Sequence, residues 1–180
     1  MELRQLVEDP EAWSILVERA RALALQEDSV VGELGAATLT FRLGDSSYSL
    51  PAIAVREVQP MGRFATLPAV PPFVLGLVNV RGRLITALDL RPLLGLPAAP
   101  LAPGAMLLIV SVDDNELGIA ADSVLAVRSQ RTDLAPAPSA ASGRSVAWVR
   151  GVDEELSIHL DPVMLFADPT LVVNAEAEGA

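Results

Sequence analysis

The chain contains no cysteine and no lysine, a single histidine, one tyrosine and four phenylalanines. Without cysteine there is no disulfide, no thiolate metal site and no cysteine nucleophile, which suits a reducing compartment. One histidine, His159, with scattered acids shows no metal-ligand spacing. No stretch reaches the ~18–20 uninterrupted apolar residues of a membrane helix. The N-terminus lacks the basic stretch and apolar run of a signal peptide. There is no glycine-rich phosphate loop either, because Gly62, Gly76 and Gly82 stand apart among predicted strands. The absence of lysine, with abundant Ala, Pro, Leu and Val, fits GC-rich codon usage and speaks of genome rather than mechanism.

What is present is a core. Half of the 180 residues (51%) are hydrophobic, enough for one domain or two small ones sharing a core. The net charge is −10, which argues against nucleic acid or anionic lipid as the main partner, and no direct membrane insertion is expected. The charge is uneven. Residues 37–90 hold five arginines against three acids, while residues 1–36 and 91–180 are strongly acidic. A basic patch on an acidic body suits a protein partner with a complementary face.

Residues 1–36 read as a helical extension and linker. Asp9 is an N-cap, Pro10 suits the first helical position, and Trp13, Leu16, Val17, Ala20 and Leu23 recur at helical spacing. From Ala37 the period changes to two. Thr38 to Leu43 alternates, Gly44-Asp45-Ser46 turns, and Ser47 to Leu50 resumes the strand. Ala54 to Val58 is a short strand, and Gln59 to Ala65 a loop. Leu75 to Val80 and Arg83 to Leu90 form a hairpin about Arg81-Gly82. Ala105 to Val112 and Glu116 to Ala120 form another about Asp113-Asp114-Asn115. Ser123 to Arg128 alternates again, Thr132 to Arg144 is a loop, and two strands ending at Val152 and Leu160 make the last hairpin. Asp161-Pro162 caps a short helix through Phe166. The acidic tail, residues 168–180, is expected to be disordered. So many short strands point to barrels or a sandwich, and the two halves echo one another as two small barrels of like design.

Catalysis finds little support. Ser157, His159 and Asp161 suggest a triad, but residues two apart on one strand stand parallel, ~6–7 Å per step, and cannot bond in series. The exposed face of a hairpin strand is the simpler reading. The acid pairs Glu154-Glu155 and Asp113-Asp114 fall in turns, where solvated charge is ordinary. The run Phe73 to Arg91 is more distinctive. Gly76 permits close backbone approach inside a strand, Asn79 can bond the turn backbone, and Gly82 can take a positive φ. Arg81 on the turn can pair with Asp89 or Glu57, or reach a partner.

These residues resemble the CheW-like family of chemotaxis coupling proteins. The resemblance runs from about Thr38 to Phe166. It rests on Phe41-Arg42-Leu43-Gly44 with Tyr48, on Val55-Arg56-Glu57-Val58, and on Leu67-Pro68 followed by Pro71-Pro72-Phe73. Its most specific part is Gly76-Leu77-Val78-Asn79-Val80-Arg81-Gly82, closed by Asp89-Leu90-Arg91. Gly118, Asp122-Ser123-Val124, Pro136-Ala137-Pro138 and Gly151-Val152 continue it.

The resemblance implies a mainly β, CheW-like fold over residues 37–167, with two five-stranded SH3-like β-barrels around a shared core. It implies no enzymatic activity and no cofactor. It implies a cytoplasmic adaptor at receptor arrays, bridging the chemoreceptor cytoplasmic hairpin tip to the regulatory domain of a CheA-type histidine kinase. By residue matching, Val55, Glu57, Val58, Gly76, Asn79, Arg81 and Gly82 fall at or near the receptor-contacting region, and the kinase side meets exposed barrel edges. Thr86-Ala87 stands where the family usually has Pro-Val. Relatives serve flagellar chemotaxis, gliding, type IV pili or development. A regulatory binding barrel outside receptor arrays is the alternative of another class.

Overall fold

The computed structural model describes residues 37–129, 133–136 and 147–171. The helix expected between Asp9 and Gln26, its linker and most of the loop after Thr132 lie outside these residues. Eleven strands follow one another: β1 (Ala37–Leu43), β2 (Ser46–Pro51), β3 (Val55–Pro60), β4 (Phe64–Ala65), β5 (Val74–Val80), β6 (Arg83–Leu88), β7 (Met106–Val112), β8 (Asn115–Ala121), β9 (Ser123–Ser129), β10 (Val149–Val152) and β11 (Ile158–Leu160). The short helix α1 (Pro162–Phe166) comes last, with 3-10 turns at Ala52–Ala54 and Pro169–Leu171.

The strands make two sheets. One has five strands in the order β10-β11-β2-β1-β9, and the other has six in the order β3-β7-β8-β6-β5-β4. The sheets do not follow the two sequence halves. The ends of the folded region, β1–β2 and β9–β11, build the first sheet, and the middle block builds the second. Nor does the second sheet have five strands. Its sixth, β4, is two residues long and lies where a loop from Gln59 to Ala65 is expected. It pairs Phe64 with Val78 and Ala65 with Leu77. Two of the non-consecutive joins that create this topology are parallel: β11 with β2, and β6 with β8. Such pairings carry no turn signature, so hairpin-by-hairpin reading does not find them.

Alternation places the core. Leu39, Phe41 and Leu43 of β1 are buried, while Arg42 between them is exposed. In β7 the run Leu107 to Val110 is buried without interruption, because both faces of this interior strand are covered. Leu108 and Val110 join Phe41, Leu50, Trp148, Leu160 and Leu165 in one core shared by both sheets. Leu107 and Ile109 face the other way, into a smaller cluster with Val78, Val80, Ile85 and Ala87.

Asp161 caps α1 as its pairing with Pro162 implies. Its Oδ1 accepts from the N–H groups of Val163 (2.9 Å) and Met164 (3.1 Å). The chain after α1 does not become irregular at Asp168. Trp148, fully buried, donates its indole N–H to Asp168 Oδ2 at 2.9 Å, and Pro169–Leu171 turns back onto the shared core. A buried indole N–H needs an acceptor, and that need orders the first residues of the expected tail.

Candidate functional site

The β5–β6 hairpin closes on two residues, Arg81 (φ 50) and Gly82 (φ 86). Positive φ at both central positions is the mark of a type I′ turn, whose twist matches that of the strands. Asn79 fastens it by accepting from the Gly82 N–H through Oδ1 at 2.8 Å. The turn therefore projects Arg81 from a rigid base.

A β-bulge on β3 supplies the partner. Val55 pairs with Val110 and Glu57 with the next residue, Ile109, so Arg56 is the extra residue. A bulge re-aims side chains that would otherwise alternate. Arg81 Nη2 donates to Glu57 Oε1 at 3.0 Å. Arg56 Nε lies 3.5 Å from Glu116 Oε1 and donates to Ser111 Oγ at 3.0 Å. Arg83 Nη1 donates to Glu116 Oε2. That bond, and then the charge of Glu116, hold Arg83 more firmly in its charged form. The acids are sunk and the arginines stand outward. The side chains of Glu57 and Glu116 are 24% and 15% exposed, against 77%, 57% and 52% for Arg81, Arg56 and Arg83. Three arginines over two glutamates leave a surplus of one positive charge on this face.

The seven site residues expected from the sequence divide. Asn79, Arg81 and Gly82 are exposed on the turn, and Glu57 meets Arg81 there. Val55 and Val58 are half-buried against the shared core. Gly76 is buried in β5 and presents nothing to solvent. Of the two acids weighed for Arg81, Glu57 is its partner. Asp89 instead lies 3.6 Å from Arg91. Sequence reasoning did not find Arg56, Arg83 or Glu116, because their grouping depends on the β3 bulge and on the β6–β8 pairing. The arginine surplus of residues 37–90 is the signal that pointed toward them.

On the face opposite this cluster the second sheet carries a pocket of about 430 Å³. Val74, Leu88, Leu117 and Thr86 come from its strands, and Leu67, Pro68 and Val70 from the loop after β4. Leu171 of the last 3-10 turn completes it. Only Thr86 among these has a polar side chain.

Ser157, His159 and Asp161 make separate bonds. Ser157 Oγ is 2.8 Å from Ser49 Oγ, which is 2.9 Å from Thr40 Oγ1. His159 Nε2 is 2.8 Å from Asp153 Oδ2, and Asp161 caps α1. The face expected to be exposed is in fact covered, with Ser157 and His159 both buried. Among the described residues there is no group of three or more metal-ligating side chains, and no helix long and apolar enough to cross a membrane.

A family model described as the CheW-like domain matches residues 37–170. The chain belongs to the CheW-like family. It is 29% identical over 119 residues to the chemotaxis protein CheW of Rhizobium meliloti, covering 66% of this chain and 77% of that one. It is 33% identical over 109 residues to the protein PilI of Pseudomonas aeruginosa, covering 61% and 60%. Among solved structures, it resembles the scaffolding protein TtCheW from Thermoanaerobacter tengcongensis, with a TM-score of 0.62 and 22% identity over 70% of this chain and 88% of that one. At that identity the likeness bears on the fold alone. The CheW-like chain thus has the two-sheet fold of that scaffold, and scaffold or adaptor is its functional class.

Proposed function

We propose that this CheW-like chain is a non-enzymatic adaptor of the bacterial cytoplasm. It couples the cytoplasmic hairpin tip of a chemoreceptor to the regulatory domain of a CheA-type histidine kinase within a receptor array. The observation that carries the receptor side is the joining of Arg81 to Glu57 at one end of the second sheet. It brings Glu57 of β3 to the turn of Asn79, Arg81 and Gly82, with two further outward arginines, Arg56 and Arg83, paired to Glu116. Partly paired arginines on a rigid turn can exchange one acidic partner for another from a second protein, at little cost in exposed ion-pair energy. The kinase side falls to the outer strands of the sheets, which we read as the walls of two small barrels. One sign of such closure is Arg128 of edge strand β9, which reaches Glu155 in the β10–β11 connection.

The test is co-sedimentation of the chain with assembled receptor cytoplasmic fragments and a CheA-type kinase, with kinase autophosphorylation read alongside. The wild type should enter the pellet and make the kinase respond to the receptor fragments. Folded Arg81→Glu should lose at least tenfold in receptor binding while keeping the kinase. Unchanged receptor binding in that variant removes Arg81 from the interface. Absence of wild-type binding to both partners rejects the adaptor reading.

A further inference from the structure

Glu116 stands at the centre of the arginine cluster. On β7, Ile109 and Ser111 point to the same face, with Glu57 of β3 opposite Ile109 and Glu116 of β8 opposite Ser111. Arg83 of β6 shares that face, because Ile85 and Ala87 further along its strand belong with Ile109 to the smaller apolar cluster. In the sheet order β3-β7-β8-β6, Glu116 therefore has Arg56 on one side and Arg83 on the other. It offers one carboxylate oxygen to each. Oε2 accepts from Arg83 Nη1, and Oε1 lies 3.5 Å from Arg56 Nε. The charge of Glu57 also acts on Arg83, so the Arg81–Glu57 pair and the Glu116 pairs make one cluster.

Among the described residues, each guanidinium is anchored through a single nitrogen: Nε of Arg56, Nη2 of Arg81 and Nη1 of Arg83. The rest of each planar fork can meet an incoming carboxylate. Glu116 itself is sunken, and its Oε1 is buried and accepts no hydrogen bond among the described residues. A buried acceptor without a donor costs the fold stability. An apolar side chain at this end of an apolar cluster would carry no such cost. What Glu116 supplies in return is the placing of two arginines.

Resting on the reading that this face meets the receptor, we infer that Glu116 is the positioning residue of the surface. It holds Arg56 and Arg83 beside Arg81, so that three outward forks await a partner bearing at least two carboxylates. Two effects of Glu116 oppose one another. Its charge repels an acidic partner, while its contacts spare the cost of ordering two arginines on binding. Ordering one long side chain weakens binding roughly two- to tenfold. The repulsion is that of one charge lying beneath the arginines, and salt screens it. Positioning therefore outweighs repulsion at physiological salt.

The full chain is titrated by calorimetry with a chemoreceptor cytoplasmic hairpin fragment at physiological salt. Glu116→Gln keeps the shape, loses the charge that holds the arginines, and makes the surface more positive. It should nevertheless bind the fragment at least fivefold more weakly. Arg56→Gln with Arg83→Gln, both outside the core, should weaken binding at least tenfold. Adding Glu116→Gln to that pair should cost nothing further, since Glu116 acts through the two arginines; a merely structural role would add its own loss. Equal or tighter binding by Glu116→Gln overturns the inference. So does unchanged binding by the arginine pair, which decides the matter if Glu116→Gln does not fold. If either occurs while Arg81→Glu loses binding, the adaptor reading stands without it. If the wild type does not bind the fragment, that reading fails and takes the inference with it.

Discussion

Arg91 and Asp122 form a buried ion pair that ties the two sheets together. Arg91 Nη2 lies 2.5 Å from Asp122 Oδ1, and only 2% of the Arg91 side chain is exposed. Arg91 follows β6 of the second sheet, while Asp122 sits on the crossover from β8 to β9. The other oxygen of Asp122 accepts from the N–H of Gly44 (2.7 Å), in the β1–β2 turn of the first sheet. Arg91 also donates to the carbonyl of Ala99 at 2.8 Å, and its own N–H is held by Asp89 Oδ1 at 3.0 Å. The β1–β2, β6–β7 and β8–β9 connections thus meet at the Arg91–Asp122 pair.

Arg91→Met should therefore be among the most destabilising substitutions outside the apolar core. It strands Asp122 and Asp89 with little solvent, and breaking a buried pair from one side costs about 3–5 kcal/mol. Urea denaturation followed by tryptophan fluorescence measures this, since buried Trp148 reports on the first sheet. A loss below about 1 kcal/mol would show that water readily replaces the guanidinium. Asp122→Asn should cost less, because the amide oxygen still accepts from Gly44.

Asp153 gives a prediction in pH. Burial alone would raise its pKa. The hydrogen bond from His159, the N–H groups of Ser157 and Glu155, and the His159 charge outweigh burial and lower it. A carboxylate whose folded pKa lies below its unfolded one contributes stability that is present above the unfolded value. That contribution disappears as pH falls through the folded value. The effect belongs to the window from the ordinary aspartate range, about 4, downward. Stability measured in urea at steps from pH 7 to pH 2 should fall less steeply in Asp153→Asn than in the wild type. The variant should also be less stable at pH 7. Equal slopes below pH 4 would mean that the β10–β11 turn holds its shape without the charge.

Where local chemistry decided the outcome, the sequence was legible. Alternation from Thr38 to Leu43, the turns at Arg81-Gly82 and Asp113-Asp114, and the Asp161-Pro162 cap each act within a few residues, and each is found in place. The parallel pairing of His159 with Ser49 spans most of the folded region and leaves no mark on either strand. The same pairing buries Ser157 and His159 on a face that alternation alone assigned to solvent. The cluster at Arg56, Arg83 and Glu116 was hidden for a like reason. A single bulged residue and a non-local strand pairing bring these three together, and neither can be read from spacing.

Arg81 stands against its local preference, and that conflict can be tested. A type I′ turn favours Asn-Gly, because asparagine tolerates the left-handed region at its first central position. Arginine there, at φ 50, bears a cost of roughly 1–2 kcal/mol. Its bond to Glu57 returns little, since the side chain is 77% exposed and such surface pairs contribute about 0–1 kcal/mol. The fold therefore gains nothing from arginine that asparagine would not supply. Arg81→Asn should leave the melting temperature unchanged or raise it by a few degrees, while weakening the receptor binding proposed for this turn. A local rule broken without structural return is what a binding residue on a rigid turn would show. A fall of several degrees in the Arg81→Asn melting temperature would show instead that the pair with Glu57 is part of the fold.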